Sequence, residues 1–318
     1  MKIIYYKDPI GNFGDDLNEW IWNDIAPFLH GQKSEYSLLG IGSILDINMI
    51  KNEKVIVFSS GIGYGPPPTS ENIKIQCVRG KLTAKVLGID ESLAIADGAI
   101  LLNLHPKFTP IPKDERHGII FIPHHNTMEH QALYEVCNNA GIELVNPCQN
   151  AKDVINKIRN AKLVIAEAMH AAIIADAMRV NWVPVVLNHD INTFKWLDWL
   201  STFDMPYNPI YIGLPSLKSF KRSKFLIKHN MGMFKPNYHK MNEIELLSSS
   251  KKTSHFHLTK ILLKIQQLFI TKKDNNKHKK TISNLLIQAS QSQGYLSGDD
   301  VFNKNLNLLK NKLNELNH

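Results

Sequence analysis

Short apolar runs recur through the first 215 residues, each ending in a glycine or polar turn and followed by a helix-patterned stretch. This alternation leaves few folds open, because a strand returning through a helix joins a parallel sheet. The clearest unit is Lys162-Leu163-Val164-Ile165-Ala166-Glu167-Ala168-Met169-His170, followed by Ala171-Ala172-Ile173-Ile174-Ala175. Its first half reads as a buried parallel strand, its second as a small-residue helix starting at the strand's carboxyl end. In open α/β sheets that edge is where ligands bind. A histidine there, next to a glutamate, can carry a proton at neutral pH.

In the first half, strands are expected over Ile3 to Tyr6, Leu38 to Ile41, Val55 to Ser59, Lys74 to Val78 and, briefly, Leu93 to Ala96. A helix with Leu17, Trp20, Ile21 and Ile25 on one face follows the first strand, and another is expected over Lys81 to Leu87. The stretch from Asn103 to Glu115, with Pro106, Pro110 and Pro112, reads as a linker. The pattern then restarts: strands over Ile119 to Ile122, Ile142 to Val145 and Val183 to Val186, and helices over Met128 to Ala140 and Ala151 to Arg159. The expected architecture is α/β: two doubly wound, Rossmann-like domains facing a cleft, residues 1–105 and 116–215. Residues 216–318 form a basic, mainly helical and partly flexible extension.

The net charge of +8 is unevenly spread. Residues 216–318 carry 19 Lys and Arg against 6 Asp and Glu; the preceding 215 carry 18 against 23. Basic character therefore belongs to the extension and bears on partners more than on fold. Around residues 250–280, lysine clusters flank Ile261, Leu262, Leu263, Ile265, Leu268, Phe269 and Ile270, either a docked helix or one lying on an anionic membrane. A terminal helix is expected over Val301 to Leu316. Three widely spaced cysteines fit a reducing compartment and no zinc pattern. The chain has no apolar run long enough to span a bilayer and no signal peptide, so a cytoplasmic location is expected, with a peripheral position at the inner membrane face as its extension.

Glycine-bearing turns follow several strands, at Gly11 and Gly14, Gly42-Ser43, Gly61 and Gly63, and Gly80. Glycine lets backbone approach a ligand, and a helix amino terminus behind it offers N–H groups to an anion. None has dinucleotide-fingerprint or Walker spacing, and each alone is also ordinary turn chemistry. Arg79, at a strand–helix junction, can grip a phosphate or carboxylate with paired hydrogen bonds or can be a surface cap. Asp15 and Asp16 are base or capping residues. His124 and His125 follow a strand and are expected to hydrogen-bond substrate; no third ligand makes a metal site. Trp196 and Trp199 read as core packing.

Taken in order, Gly11-Asn12-Phe13-Gly14-Asp15-Asp16-Leu17-Asn18, Gly40-Ile41-Gly42-Ser43, Gly61-Ile62-Gly63, Val78-Arg79-Gly80-Lys81-Leu82-Thr83-Ala84, Glu167-Ala168-Met169-His170 and Lys195-Trp196-Leu197-Asp198-Trp199 resemble the polysaccharide pyruvyl transferase family, in its exopolysaccharide ketal-pyruvate branch. The resemblance covers about residues 1–215. It implies a GT-B-like fold and transfer of a pyruvyl group from phosphoenolpyruvate to a sugar of a cell-surface polysaccharide or its precursor, as a ketal, with no metal or organic cofactor. It puts Arg79 on the donor-binding arginine and His170 on the essential histidine. Three departures stand out: Ala171 where the family commonly has glycine, Ala168 where many members have arginine, and Asp97-Gly98 in place of Asp-Pro.

The expected machinery is His170 as proton donor, Glu167 orienting its ring and Asp16 as base toward the acceptor hydroxyl. Substrate contacts are expected from Arg79, Gly14, Asp15, Gly42, Ser43, Gly61, Gly63, His124, His125 and Met169. The expected partners are phosphoenolpyruvate, a sugar or lipid-linked oligosaccharide and, through the extension, an anionic membrane surface; nucleic acid is excluded, since the basic segment lacks interleaved aromatics. Two rivals stand beside this reading: a GT-B glycosyltransferase using a nucleotide sugar, and a membrane-docked, non-catalytic component of polysaccharide assembly.

Overall fold

A computed structural model describes residues 1–31, 33–46, 50, 53–65, 67–68, 72–248 and 270–317. Among them, the strands form two wholly parallel sheets. The first has the order β1 (Ile3–Ile4), β2 (Ser37–Leu39), β3 (Val55–Ser60), β4 (Ile73–Val78). The second runs β6 (Glu143–Leu144), β5 (Ile119–Ile122), β7 (Leu163–Ala166), β8 (Asn181–Val186), β9 (Ile210–Tyr211). Central β7 pairs Ile165 with Phe121 on one side and Val183 on the other, all buried, as a strand covered on both faces requires.

Three expected elements take a different form. The helix after β1 is split into a 3-10 stretch, Asp15–Glu19, and α1 (Ile21–Ile25). The buried Asn18 side chain causes the break: its amide donates to the Asp15 and Ile41 carbonyls and its oxygen accepts from Ile41 N and Trp22 Nε1. Pro27 then stops α1. The fifth strand shrinks to one parallel bridge, Val78 to Ala94. Asp90 and Asp97 cap 3-10 turns on either side of it, Glu91–Leu93 and Gly98–Leu104, and draw the backbone away from β4. The residues just before the expected linker, Ile100, Leu101 and Leu102, are fully buried, and His105 and Phe108 within it are buried as well. The helix α2 (Lys81–Leu87) matches its expectation and ends at Gly88 in the left-handed region, φ +65°.

In the second half, the helix expected from Met128 begins later as α3 (Ala132–Ala140), after a separate turn His125–Met128 capped by His124. It is followed by α4 (Ala151–Asn160), α5 (Met169–Ala177) and α6 (Thr193–Leu200). Every residue of α5 after Met169 is buried, which its run of alanines and isoleucines permits. Trp196 and Trp199 lie in the core: Trp196 stacks on Tyr207, and Trp199 packs against Trp182, which in turn stacks on Tyr295.

Beyond residue 216 come α7 (Leu217–Lys228), α8 (Lys272–Gln291) and α9 (Asp299–Asn314). The apolar patch from Ile261 to Phe269 lies outside the described residues. Helix α8 buries Ile282, Leu286 and Ala289 in the core cluster of the second sheet. Between α8 and α9, Tyr295 exchanges backbone hydrogen bonds with Trp182, and Ser297 N–H donates to the buried Asp176 carboxylate at 2.8 Å. Helix α9 then returns to the first sheet, where Gln76 on β4 donates to Glu315. Among the described residues, no helix is long and apolar enough to cross a membrane.

Candidate active site

The carboxyl ends of both sheets open on one cleft of about 470 Å³. Residues after β1 supply Tyr6, Asp8, Asn12 and Asp15, and those after β2 and β3 supply Ser43, Asp46 and Tyr64. The second sheet contributes His124 and His125 after β5, Glu167 to His170 after β7, and Asn192 and Lys195 after β8. This is the ligand-binding edge of both sheets at once.

His170 sits in the first turn of α5, 9% exposed. Its Nε2 is sealed from solvent without a hydrogen-bond partner, 4.0 Å from Asp97 Oδ2. Its Nδ1 lies over Gly14, where a Cβ would come within 1.9 Å of it. Burial lowers its pKa to about 4; Asp15 opposes that shift, while Lys195 and Arg79 add to it. The imidazole of the free protein is therefore neutral at pH 7.

Glu167 does not orient the His170 ring. Its Oε2 accepts from His124 N–H at 3.0 Å, and its Oε1 from Leu187 N–H at 2.8 Å and Asn188 N–H at 3.1 Å. The side chain thus ties together the ends of β5, β7 and β8, and burial raises its pKa to about 7. Asp16 is outside the cleft lining and accepts from Asn12 N–H at 3.2 Å. Its neighbour Asp15 is the carboxylate that faces the cleft, bonded to Asn12 Nδ2 at 2.6 Å, its pKa raised by burial and held down in part by His170 and Lys195.

Arg79 lies behind the cleft wall with no exposed surface. Its Nε donates to Asp198 Oδ2 at 2.9 Å and its Nη2 lies 2.8 Å from the same oxygen. Nη2 also donates to the Ile62 carbonyl at 2.8 Å, and Nη1 to the Ser43 hydroxyl. Asp198 accepts Thr83 N–H and Oγ–H as well, both at 2.7 Å. The guanidinium is satisfied by the protein, so a ligand meets it only through Ser43. Sequence reasoning placed it correctly at a strand–helix junction, but Asp198 on α6, 119 residues away, was not visible as its partner.

The glycines accommodate side chains of the site in place of a ligand. Gly14 makes room for His170, Gly42 for Asp15, Gly61 for the Arg79 guanidinium and Gly63 for Lys195 and Ser43. Ser43, Met169, His124 and His125 all line the cleft as expected. Burial lowers the His124 pKa to about 3, so that ring is neutral and its Nδ1 accepts from Asn126 N–H. His125 Nε2 is 3.9 Å from Asp8.

Lys195 is the cation that sequence reasoning missed. Among the described residues lining the cleft it is the one Lys or Arg, and its Nζ lies 3.9 Å from the Tyr64 ring centroid. Asn192 caps α6, accepting Lys195 N–H, and donates to the Gly63 carbonyl at 2.6 Å. The available signal was position: the first turn of a helix that follows a strand's carboxyl end.

A buried histidine, a cleft-facing carboxylate and one lysine meet at this edge. The family model for polysaccharide pyruvyl transferases matches residues 12–189, and the chain belongs to that family. It is a transferase acting in pyruvyl transfer. The chain is 38% identical over 213 residues to the succinoglycan biosynthesis protein ExoV of Rhizobium meliloti, covering 66% of this chain and 67% of that protein. No solved structure matches.

Proposed function

We propose that the protein transfers the pyruvyl group of phosphoenolpyruvate to two hydroxyls of a sugar in an exopolysaccharide or its lipid-linked precursor, closing a cyclic ketal. The observation that carries this reading is the pairing of His170 with Lys195 in one cleft. The family membership and the likeness to a succinoglycan biosynthesis protein support it. The two parallel sheets sharing a cleft at their carboxyl ends support a GT-B-like arrangement of two Rossmann-like units.

Lys195 and the N–H groups opening α5 hold the donor's phosphate and carboxylate. The donor's negative charge beside the neutral His170 raises its pKa, and the imidazolium gives a proton to the methylene carbon. The alkene π pair forms that C–H bond, leaving the adjacent carbon electrophilic. A sugar hydroxyl attacks it, losing its proton to Asp15. The C–O bond to phosphate then breaks with its electron pair, and the second hydroxyl closes the ring as its proton leaves. Proton transfer of this kind contributes roughly 10²–10⁴ in rate.

The deciding experiment incubates the protein with phosphoenolpyruvate and galactoside, glucoside or mannosaminide acceptors, measuring phosphate release and the pyruvyl mass gain. His170→Ala is expected to abolish turnover and leave the fold intact; full activity in that variant overturns the assignment. Binding of a nucleotide sugar with no response to phosphoenolpyruvate would instead support a glycosyltransferase.

A basic surface on the second half supports a peripheral position at an anionic membrane. Helix α7 carries Lys218, Lys221, Arg222, Lys224 and Lys228 without an acidic residue, and α8 opens with Lys272, Lys273 and Lys277. Such a surface would bring the cleft to a lipid-linked acceptor.

A further inference from the structure

We propose that Asp97 is the positioning residue of the acid: its Oδ2 receives Nε2–H of His170, fixes the tautomer and stabilises the imidazolium, leaving Nδ1 to deliver the proton. This rests on the pyruvyl-transfer reading and deepens it, for the resemblance to the family had put no such role on Asp97.

The placement is specific. Asp97 is fully buried, and its Oδ1 is used, accepting Ala99 N–H at 2.9 Å at the start of the Gly98–Leu104 turn. Its Oδ2 has no partner, and neither has His170 Nε2, 4.0 Å away. Two sealed polar atoms of complementary kind facing each other are costly unless they serve each other. The surroundings are arranged to keep them there. Ser59, in the left-handed region at φ +63°, turns its hydroxyl toward Gly98, where a Cβ would come within 2.3 Å of it. Strain of this kind in a non-glycine residue marks sites where geometry is over-determined.

The charged groups around the pair come from several elements. Arg79 on the first half and Asp198 on α6 act on Asp97, which burial raises to about 6. Asp15 after β1, Lys195 on α6 and Arg79 act on His170. Arg79 and Asp198 neutralise each other, so Asp97 is the negative charge on the Nε2 side and Asp15 acts from the cleft. When the donor binds and His170 takes up a proton, Nε2–H faces Asp97, and Nδ1–H, beside Gly14 and not sealed from solvent, is the one left for the ligand. The proton then passes from Nδ1 to the methylene carbon, and the imidazole returns to its neutral Nε2–H form. An acidic partner holding a catalytic imidazole by one nitrogen while the other works is the logic of an Asp–His dyad.

Asp97→Asn keeps the shape and the cap on Ala99. It is expected to lower kcat by about 10²–10⁴-fold with KM for phosphoenolpyruvate within about threefold. Removing an anion lowers the pKa of the imidazolium, so the alkaline limb of the kcat profile is expected to move about 1–3 units toward lower pH. A purely structural role would lower stability without moving that limb. Nitrogen NMR of histidine-labelled wild-type protein provides a second readout that needs no variant: His170 is expected as the Nε2–H tautomer. An Nδ1–H tautomer, or an Asp97→Asn enzyme with the wild-type rate and pH limb, overturns the proposal. Failure of the wild type to consume phosphoenolpyruvate with any acceptor would instead count against the pyruvyl-transfer reading, while the tautomer result stands separately.

Discussion

Binding of phosphoenolpyruvate should draw a proton into the protein, and His170 should be where it goes. In the free protein, burial holds this imidazole at about 4, so at pH 7 about one molecule in a thousand is protonated. Half-protonation at pH 7 requires a rise of about three units, equivalent to about 4 kcal/mol. One full negative charge ~4 Å away supplies about 4 kcal/mol at an effective dielectric constant of about 20, and the donor brings more than one such charge. A ligand that lifts a depressed pKa through the working pH causes uptake, never release. Calorimetric titration in buffers of different ionisation enthalpy counts the protons. Wild type at pH 7 is expected to take up about half to one proton more per donor bound than His170→Ala, a difference that cancels the donor's own phosphate ionisation. Equal proton counts in the two proteins would refute the reasoning.

Lys195→Ala removes the charge that faces the donor; a lost charge-assisted contact of about 1.5–3 kcal/mol should raise KM for phosphoenolpyruvate roughly 10–100-fold, as initial-rate kinetics will show. Arg79→Met strands the sealed Asp198 carboxylate and should cost about 3–5 kcal/mol, seen as a thermal midpoint about 10 °C lower, with Arg79→Met/Asp198→Leu recovering most of it. An Arg79→Met protein of unchanged midpoint that no longer binds the donor would restore the direct anion grip. Gly14→Ala puts a methyl group into the His170 ring and should lower kcat by ~10² or more while circular dichroism stays native. Exchanging Arg222, Lys224 and Lys228 for glutamine should weaken co-sedimentation with phosphatidylserine-containing vesicles, at about 1 kcal/mol for each charge that reaches the surface.

What the sequence made legible followed from local periodicity. The strands of both sheets except the two-residue β9, the junction at Arg79 and the His170 strand–helix unit were all visible, since each is written in neighbouring residues. The carboxyl-edge rule then put Ser43, His124, His125, Met169 and His170 on one cleft without any knowledge of their distances. Illegible were pairings made at long range. Glu167 stands three residues before His170, which suggested a partnership, yet its oxygens face the backbones of His124, Leu187 and Asn188. Asp16 rather than Asp15 was expected as the base, because a 3-10 turn sends successive side chains in directions that helical periodicity misassigns. The shortened fifth strand has the same origin: two aspartate caps outweigh a brief β-like run.

The bond between Arg79 and Asp198 has a kinetic consequence. It joins the first half to α6 of the second at the back of the cleft, and there the Gly80 backbone presses so closely on Asp198 that a Cβ would lie 1.9 Å from its carbonyl oxygen. Halves stapled along that seam do not swing apart to exchange ligands from behind. Exchange is left to the open side of the cleft, where Tyr6 and Tyr64, each 46% exposed, stand in its lining.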